Sequence, residues 1–328
     1  MKEIRDLLPE REQGMFDDIV YQRVLGASKH IQMIGEMFLA LADKTEKTGQ
    51  TAETLGKELR EVADFFKRTR GEASRAVCNA INTMLLQMGG FDGCTIEDAA
   101  RRVRGSVEYY AGQSEREIAK VVEYAAAAAG CMEKIMIFDY SSTVNAFLKR
   151  LGKEKKGIEV YIPESRTING GYAFVPTALS AGMKVHFIPD AAIMYFLKDC
   201  DGAFFGAETL YADGTAFNTT GSDIVGLVCR TFHVPLYVLT PMIKLDIRPV
   251  YGYHRELVIN DMRERMALAG FSREELEQVD FSCPELLPVE GDYIKGVITE
   301  FGIIPAGALY PLAMNYDKNL NQGDGEHE

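Results

Sequence analysis

The sequence predicts an α/β protein in which a helical N-terminal domain precedes a mostly parallel sheet. Three observations predict it. Apolar residues return every three or four positions through the first third of the chain. After Gly130 the pattern changes to short apolar runs separated by helical stretches. Those runs are apolar throughout rather than alternating, as in strands covered on both faces. With 328 residues, 47% of them hydrophobic, the chain has enough apolar side chain for two packed units.

Taken in order, Val20, Val24, Ile31, Ile34 and Phe38 place a helix from Asp17 to about Ala42. Leu55, Leu59, Val62 and Phe66 place a second over 51–66. A third covers 73–88 and stops at GGFDG, where Gly89, Gly90 and Gly93 admit turn geometry. Further helices are expected to start near Thr95 and near Ser114. The latter carries the alanine run 125–129, with Gly130 as its C-cap. Strands follow at 135–138, 158–162, 184–188, 203–207 and 235–239, with helices over 142–152, 172–181, 190–199 and 222–232 between them. The expected domains are 1–125, helical, and 126–328, carrying the sheet and ending in the polar tail NQGDGEHE.

Composition excludes several functions. A net charge of -12 argues against nucleic acid as the main partner, because phosphate contacts need clustered Lys and Arg. The N-terminal MKEIRDLLPEREQG has no apolar signal core, and no apolar run reaches the roughly 20 residues of a membrane span. A cytoplasmic protein without membrane contact is expected. The six cysteines form no CxxC pair and read as buried thiols, and the five histidines show no ligand spacing. No dedicated metal site is expected.

In an open parallel sheet, ligands bind beyond the carboxyl ends of the strands. The residues that follow successive runs are Asp139, then Glu164, Ser165 and Arg166, then Asp190, then Glu208. Each carboxylate taken alone also fits a helix cap. Asp190 directly precedes AAIMYFL, and Ser141 and Ser142 compete with Asp139 for such a role. Arg166 offers a planar fork for an anion or a pairing with Glu164 or Asp190. Gly170 and Gly171 let backbone N–H groups approach an anion. Asn218, Thr219, Thr220 and Ser222 supply neutral hydrogen-bonding groups, and KRTRG at 67–71 gathers Lys67, Arg68 and Arg70 ahead of a helix.

Motifs in fixed order resemble one family. They are TRGEASRAVCNA at 69–80, ESR at 164–166 with Gly171, IPD at 188–190, GAE at 206–208, ADG at 212–214, NTTGS at 218–222, VPLYVLTP at 234–241 and DYIKGVITEFG at 292–302. The chain resembles the family of the initiation factor 2B alpha, beta and delta subunits, methylthioribose-1-phosphate isomerase and ribose-1,5-bisphosphate isomerase, over most of its length from residue 60. The resemblance implies a helical domain followed by a Rossmann-like domain, no cofactor, and a homo-oligomer, most simply a dimer. It also implies a site in which a ring-opened aldose 1-phosphate becomes a ketose. Asp139 stands where the isomerases carry a cysteine, and Glu208 where they carry an aspartate. Thr219 replaces a frequent lysine and Thr167 a proline, while Arg70 and Gly71 match the phosphate-site region.

The expected function is a metal-free aldose–ketose isomerase-like enzyme for a small sugar 1-phosphate or analogue. Asp139 would act as base and Glu208 as acid. Arg70, Gly71, Arg166, Gly171 and Asn218 would hold the substrate. The alternative is a non-catalytic protein that senses a sugar phosphate or nucleotide, as the family's regulatory subunits suggest.

Overall fold

A computed structural model of the chain describes residues 2–21, 23–24, 26–71, 74–266 and 270–320. Two compact units form. One holds the residues up to Arg116, Ile243–Leu245 and those from Asn315 onward, and the other holds Glu117–Met242 and Asp246–Met314. The first division falls at Arg116 rather than at 125, and the helical unit draws on two later segments.

The helical unit contains α1 (Lys2–Asp6), α2 (Glu10–Val20), α3 (Ala27–Thr48), α4 (Ala52–Thr69), α5 (Arg75–Met88) and the first part of α6 (Ile96–Ala128). The helix expected over 17–42 is therefore two. α2 ends at Val20, and α3 begins after Gly26, whose φ of 96° suits glycine. The opposite occurs at Ser114, where no helix starts because α6 runs through it unbroken. Gly130 is not a left-handed cap; its amide donates to the Ala127 carbonyl at 3.2 Å. Thr51 caps α4 by accepting from the Thr54 amide at 3.2 Å. Ile34, Phe38, Leu41, Leu55, Leu59, Val62, Phe66 and Ile81 are sealed from solvent in one core. Each such side chain contributes about 1.5–3 kcal/mol by leaving water.

The second unit is built on a seven-stranded sheet in the order β13-β12-β7-β4-β1-β2-β3. Its strands are β1 (Lys134–Phe138), β2 (Glu159–Pro163), β3 (Lys184–Ile188), β4 (Gly202–Gly206), β7 (Leu236–Leu239), β12 (Gly296–Thr299) and β13 (Gly302–Ile304). All neighbours are parallel except β12 and β13. The five expected strands are present within a residue or two, since β1 and β4 are buried almost throughout and leave no alternation to read. A four-stranded sheet orders β11 (Leu286–Val289), β6 (Ala216–Thr219), β5 (Thr209–Tyr211) and β8 (Leu245–Asp246), and β9 (Ile259–Asp261) pairs with β10 (Ser282–Pro284). The helices between the strands include α7 (Ser142–Glu154), α8 (Val175–Ser180), α9 (Ile193–Leu197) and α10 (Ser222–Phe232). Among the described residues no helix is long and apolar enough to cross a membrane.

The strand order fixes where a ligand site belongs. From β1 the chain builds β2 and β3 on one side, then returns to place β4 on the other side of β1. This reversal opens a crevice at the carboxyl ends of β1 and β4. Phe138 and Phe205 are register partners, so Asp139 and Glu208 leave the sheet from adjacent strands at that point.

Candidate active site at the carboxyl edge of the sheet

Asp139 turns the chain out of β1 in the left-handed region, with φ 55°. An aspartate tolerates this better than most residues, at a cost of about 1 kcal/mol. It does not cap α7, because Ser141 accepts the Val144 amide at 3.4 Å. The Asp139 side chain is instead buried, its residue only 4% exposed. Its Oδ1 accepts the Ser165 hydroxyl at 2.8 Å and its Oδ2 the Thr219 hydroxyl at 2.8 Å. Burial pushes the carboxyl up from the ordinary aspartate range. Hydrogen bonds from Thr219, Ser165 and the Tyr140 amide pull it down, while the nearby Asp190 carboxylate adds to the rise.

The loop after β2 supplies one wall. Ser165 is fully buried and left-handed, with φ 50°. Asp190 holds it there: one carboxylate oxygen accepts the Ser165 amide at 2.9 Å and the other the Arg166 amide at 2.8 Å. Asp190 therefore fastens this loop and does not cap the helical turn after it, whose N-cap position is Pro189. Gly170 and Gly171 begin a 3-10 turn in which their amides donate to the carbonyls of Ser165 and Glu164. Those N–H groups serve the loop itself, against the expectation that they approach an anion. Both glycines are needed for space, since a methyl at 170 would overlap Asp139 Oδ1 and one at 171 the Pro163 carbonyl. Arg166 is exposed, with a guanidinium 3.6 Å from Glu164. A pair this open to water contributes little and leaves the arginine available to a ligand.

Opposite lies the β5–β6 hairpin. Glu208 is half-buried, and its amide donates to the Phe217 carbonyl at 2.8 Å, continuing the ladder between the two strands. On β6, the Asn218 side-chain amide donates to the Ser222 hydroxyl at 3.0 Å, and that hydroxyl donates to the Thr219 carbonyl at 2.8 Å. Asn218 thus orders the start of α10 and the strand that carries Thr219. Gly221, with φ 106°, packs its backbone against the Phe138 ring.

The structure brings Asp139, Ser165, Gly170, Gly171, Asn218 and Thr219 into one connected group, with Glu208 on the same hairpin as Asn218 and Thr219. Arg70 and Gly71 belong to the helical unit. They close α4 with amides donating to the Phe66 carbonyl at 2.8 and 3.0 Å, and a side chain at 71 would overlap the Lys67 carbonyl. Burial holds the Cys200 and Cys229 thiols at about 12, so neither is a thiolate at neutral pH. Sequence reasoning did not pair Thr219 with Asp139, and it left Asp190 open between a helix end and the ligand edge of the sheet. No local spacing signals either contact, because the partners are 80 and 25 positions apart.

The Initiation factor 2 subunit family matches residues 26–306. Ribose 1,5-bisphosphate isomerase of Archaeoglobus fulgidus is 26% identical over 289 residues, covering 88% of this chain and 87% of that protein. A putative translation initiation factor eIF-2B subunit 2-like protein of Pyrococcus horikoshii is 26% identical over 302 residues, 91% of this chain and 98% of the other. Among solved structures, 5-methylthioribose 1-phosphate isomerase from Pyrococcus horikoshii superposes with a TM-score of 0.75 at 15% identity, covering 96% of this chain and 92% of that one.

Proposed function

From a chain that belongs to the Initiation factor 2 subunit family, we propose a sugar-phosphate isomerase that interconverts the aldose and ketose forms of a small phosphorylated sugar. The observation that carries this reading is Asp139: a buried carboxylate at the switch point, held by two hydroxyls, with a pKa moved towards neutrality. A general base works best when its pKa lies near the working pH, and burial is a usual way to raise a carboxylate. In the proposed reaction Asp139 takes the proton from the carbon beside the carbonyl of the ring-opened sugar. Glu208 supplies a proton to the oxygen that gains charge. Asp139 then returns its proton to the former carbonyl carbon, while the hydroxyl on the neighbouring carbon gives its proton to Glu208, leaving a ketone there and both carboxyl groups as they began. Arg166 and Asn218 hold the substrate. The relatives named ribose 1,5-bisphosphate isomerase make that bisphosphate the first substrate to test.

A second reading is a regulatory role. It draws on the eIF-2B-like relatives, and on Asp139 and Glu208 standing where the family resemblance implies a cysteine and an aspartate. Incubation with ribose 1,5-bisphosphate and other sugar 1-phosphates in heavy water separates the two. Deuterium entering the carbon beside the carbonyl is expected for an isomerase, and Asp139→Asn should cut the rate by about 10²–10⁴ while leaving binding intact. A ligand that binds without any exchange favours the regulatory reading.

A further inference from the structure

The polar contacts of Asp139 come from two different pieces of chain. Ser165 reaches Oδ1 from the loop after β2, and Thr219 reaches Oδ2 from the end of β6. Gly170 packs its backbone against Oδ1, so the Oδ1 side is covered by the same loop that supplies its donor. The Oδ2 side is bounded by the hairpin that also carries Glu208. Thr219 is itself buried, and its carbonyl accepts the Ser222 hydroxyl that in turn serves Asn218. Glu208 and Thr219 are linked through the ladder, since the Glu208 amide donates to Phe217, two residues before Thr219.

We propose that Thr219, assisted by Ser165, is the positioning residue of this site: its hydroxyl fixes Asp139 Oδ2 to the hairpin that bears Glu208. One rigid hairpin then sets the separation between the proton acceptor and its acidic partner. This rests on the isomerase reading for its consequence in catalysis, but the contact and its effect on the carboxylate stand without it. Two neutral donors orient a carboxylate while stabilising its charge far less than a cation would. The charged side chains on the surrounding loops include Glu164, Arg166, Asp190 and Glu208, and Asp223 accepts the Gly221 amide at 3.0 Å in the turn after Thr219. Of these, Asp190 raises the Asp139 pKa, and its own carboxylate is held by the Ser165 and Arg166 amides. The left-handed backbone of Asp139 is consistent with such external restraint, because a strained turn persists where its surroundings over-determine it.

The test uses the full chain with ¹³C-labelled aspartate, the Asp139 carboxyl resonance being assigned by its absence in Asp139→Asn. Thr219→Val keeps the shape and removes the hydroxyl, and Thr219→Ser restores it. A hydrogen bond to a charged group corresponds to roughly one to two pH units. The Asp139 titration should therefore move upward by about that amount in the valine variant and stay within about half a unit of the parent in the serine variant. In the exchange assay with ribose 1,5-bisphosphate, the valine variant should lose kcat at nearly constant KM, and its acid limb should move to higher pH. Serine should recover both. An unchanged Asp139 titration in a folded Thr219→Val protein overturns the proposal. So does a serine variant that behaves like valine. Should the valine variant not fold, Thr219→Ala removes the same hydroxyl, and an unchanged Asp139 titration in that variant overturns the proposal equally. A parent protein that exchanges no deuterium defeats the isomerase reading alone, and the titration still decides the role of Thr219.

Discussion

At the scale of single residues, the proposed chemistry turns on Asp139, a buried carboxylate at the edge of the sheet. Asp139 and Glu208 were legible in the sequence because each follows an apolar run, and an open parallel sheet puts such residues at one edge. Their partners were not legible, because a hydroxyl 80 positions away leaves no local trace. Glu300 went unnoticed for a related reason: it follows β12, a four-residue strand that the sequence reading did not separate. It is 6% exposed, with one oxygen accepting the Met242 amide at 3.0 Å. Burial, reinforced by Glu117, pushes its carboxyl up to about 7, against opposing pulls from backbone amides and Lys120. An acid whose folded pKa exceeds its unfolded value contributes full stability below the unfolded value and loses it as pH rises to the folded one. The window here runs from about 4.5 to about 7, and the shift corresponds to about 3 kcal/mol. Glu300→Gln should accordingly narrow the difference in denaturant midpoint between pH 5 and pH 8. Equal pH sensitivity in parent and variant would show that Glu300 does not titrate in this way.

At the scale of elements, the parallel strands could be read because burial on both faces makes them apolar throughout. β5, β6 and β8 to β11 hold only two to four residues each, too short for a period to show, although they carry the hairpin of the site. The sequence also misjudged helix limits in both directions, splitting α6 at Ser114 and joining α2 to α3 across Gly26. Serine fits a helix start by propensity, yet an interior serine costs only a few tenths of a kcal/mol and long helices absorb it. The loop after β2 gives the sharpest element-level prediction. Gly170→Ala places a methyl against Asp139 Oδ1, and overpacking of this kind costs about 1–3 kcal/mol. Both thermal stability and proton exchange should fall. Gly157→Ala is the contrasting control for backbone strain, because its φ of 78° is left-handed but nothing lies within 4 Å of the new methyl. It should lose a little stability and no exchange. Equal effects of the two substitutions on exchange would remove the argument that space beside Asp139 matters.

At the scale of the whole molecule, the chain crosses between its two units more than once, and this was beyond the reach of sequence pattern. The three residues Ile243–Leu245 belong to the helical unit although the flanking chain belongs to the sheet unit. A segment that short has no periodicity; Ile243 packs on the helical core, and a side chain in α5 bonds the backbone on either side of Lys244. The Asn79 amide nitrogen donates to the carbonyls of both Ile243 and Leu245 at 2.9 Å, and the Asn79 residue is 7% exposed. One side-chain amide thus satisfies two carbonyls more than 160 positions away, and its bond to the Leu245 carbonyl is buried. Asn79→Ala should therefore destabilise by about 1–3 kcal/mol for each carbonyl left unsatisfied. The loss should appear as a lower midpoint in denaturant with an unchanged slope. Asn79→Asp tests the direction of the bonds, because a carboxylate offers acceptors where donors are needed, and it should be at least as harmful as alanine. If the aspartate variant matched the parent in midpoint, the two carbonyls would not depend on Asn79, and the attachment of Ile243–Leu245 to the helical unit would need another cause.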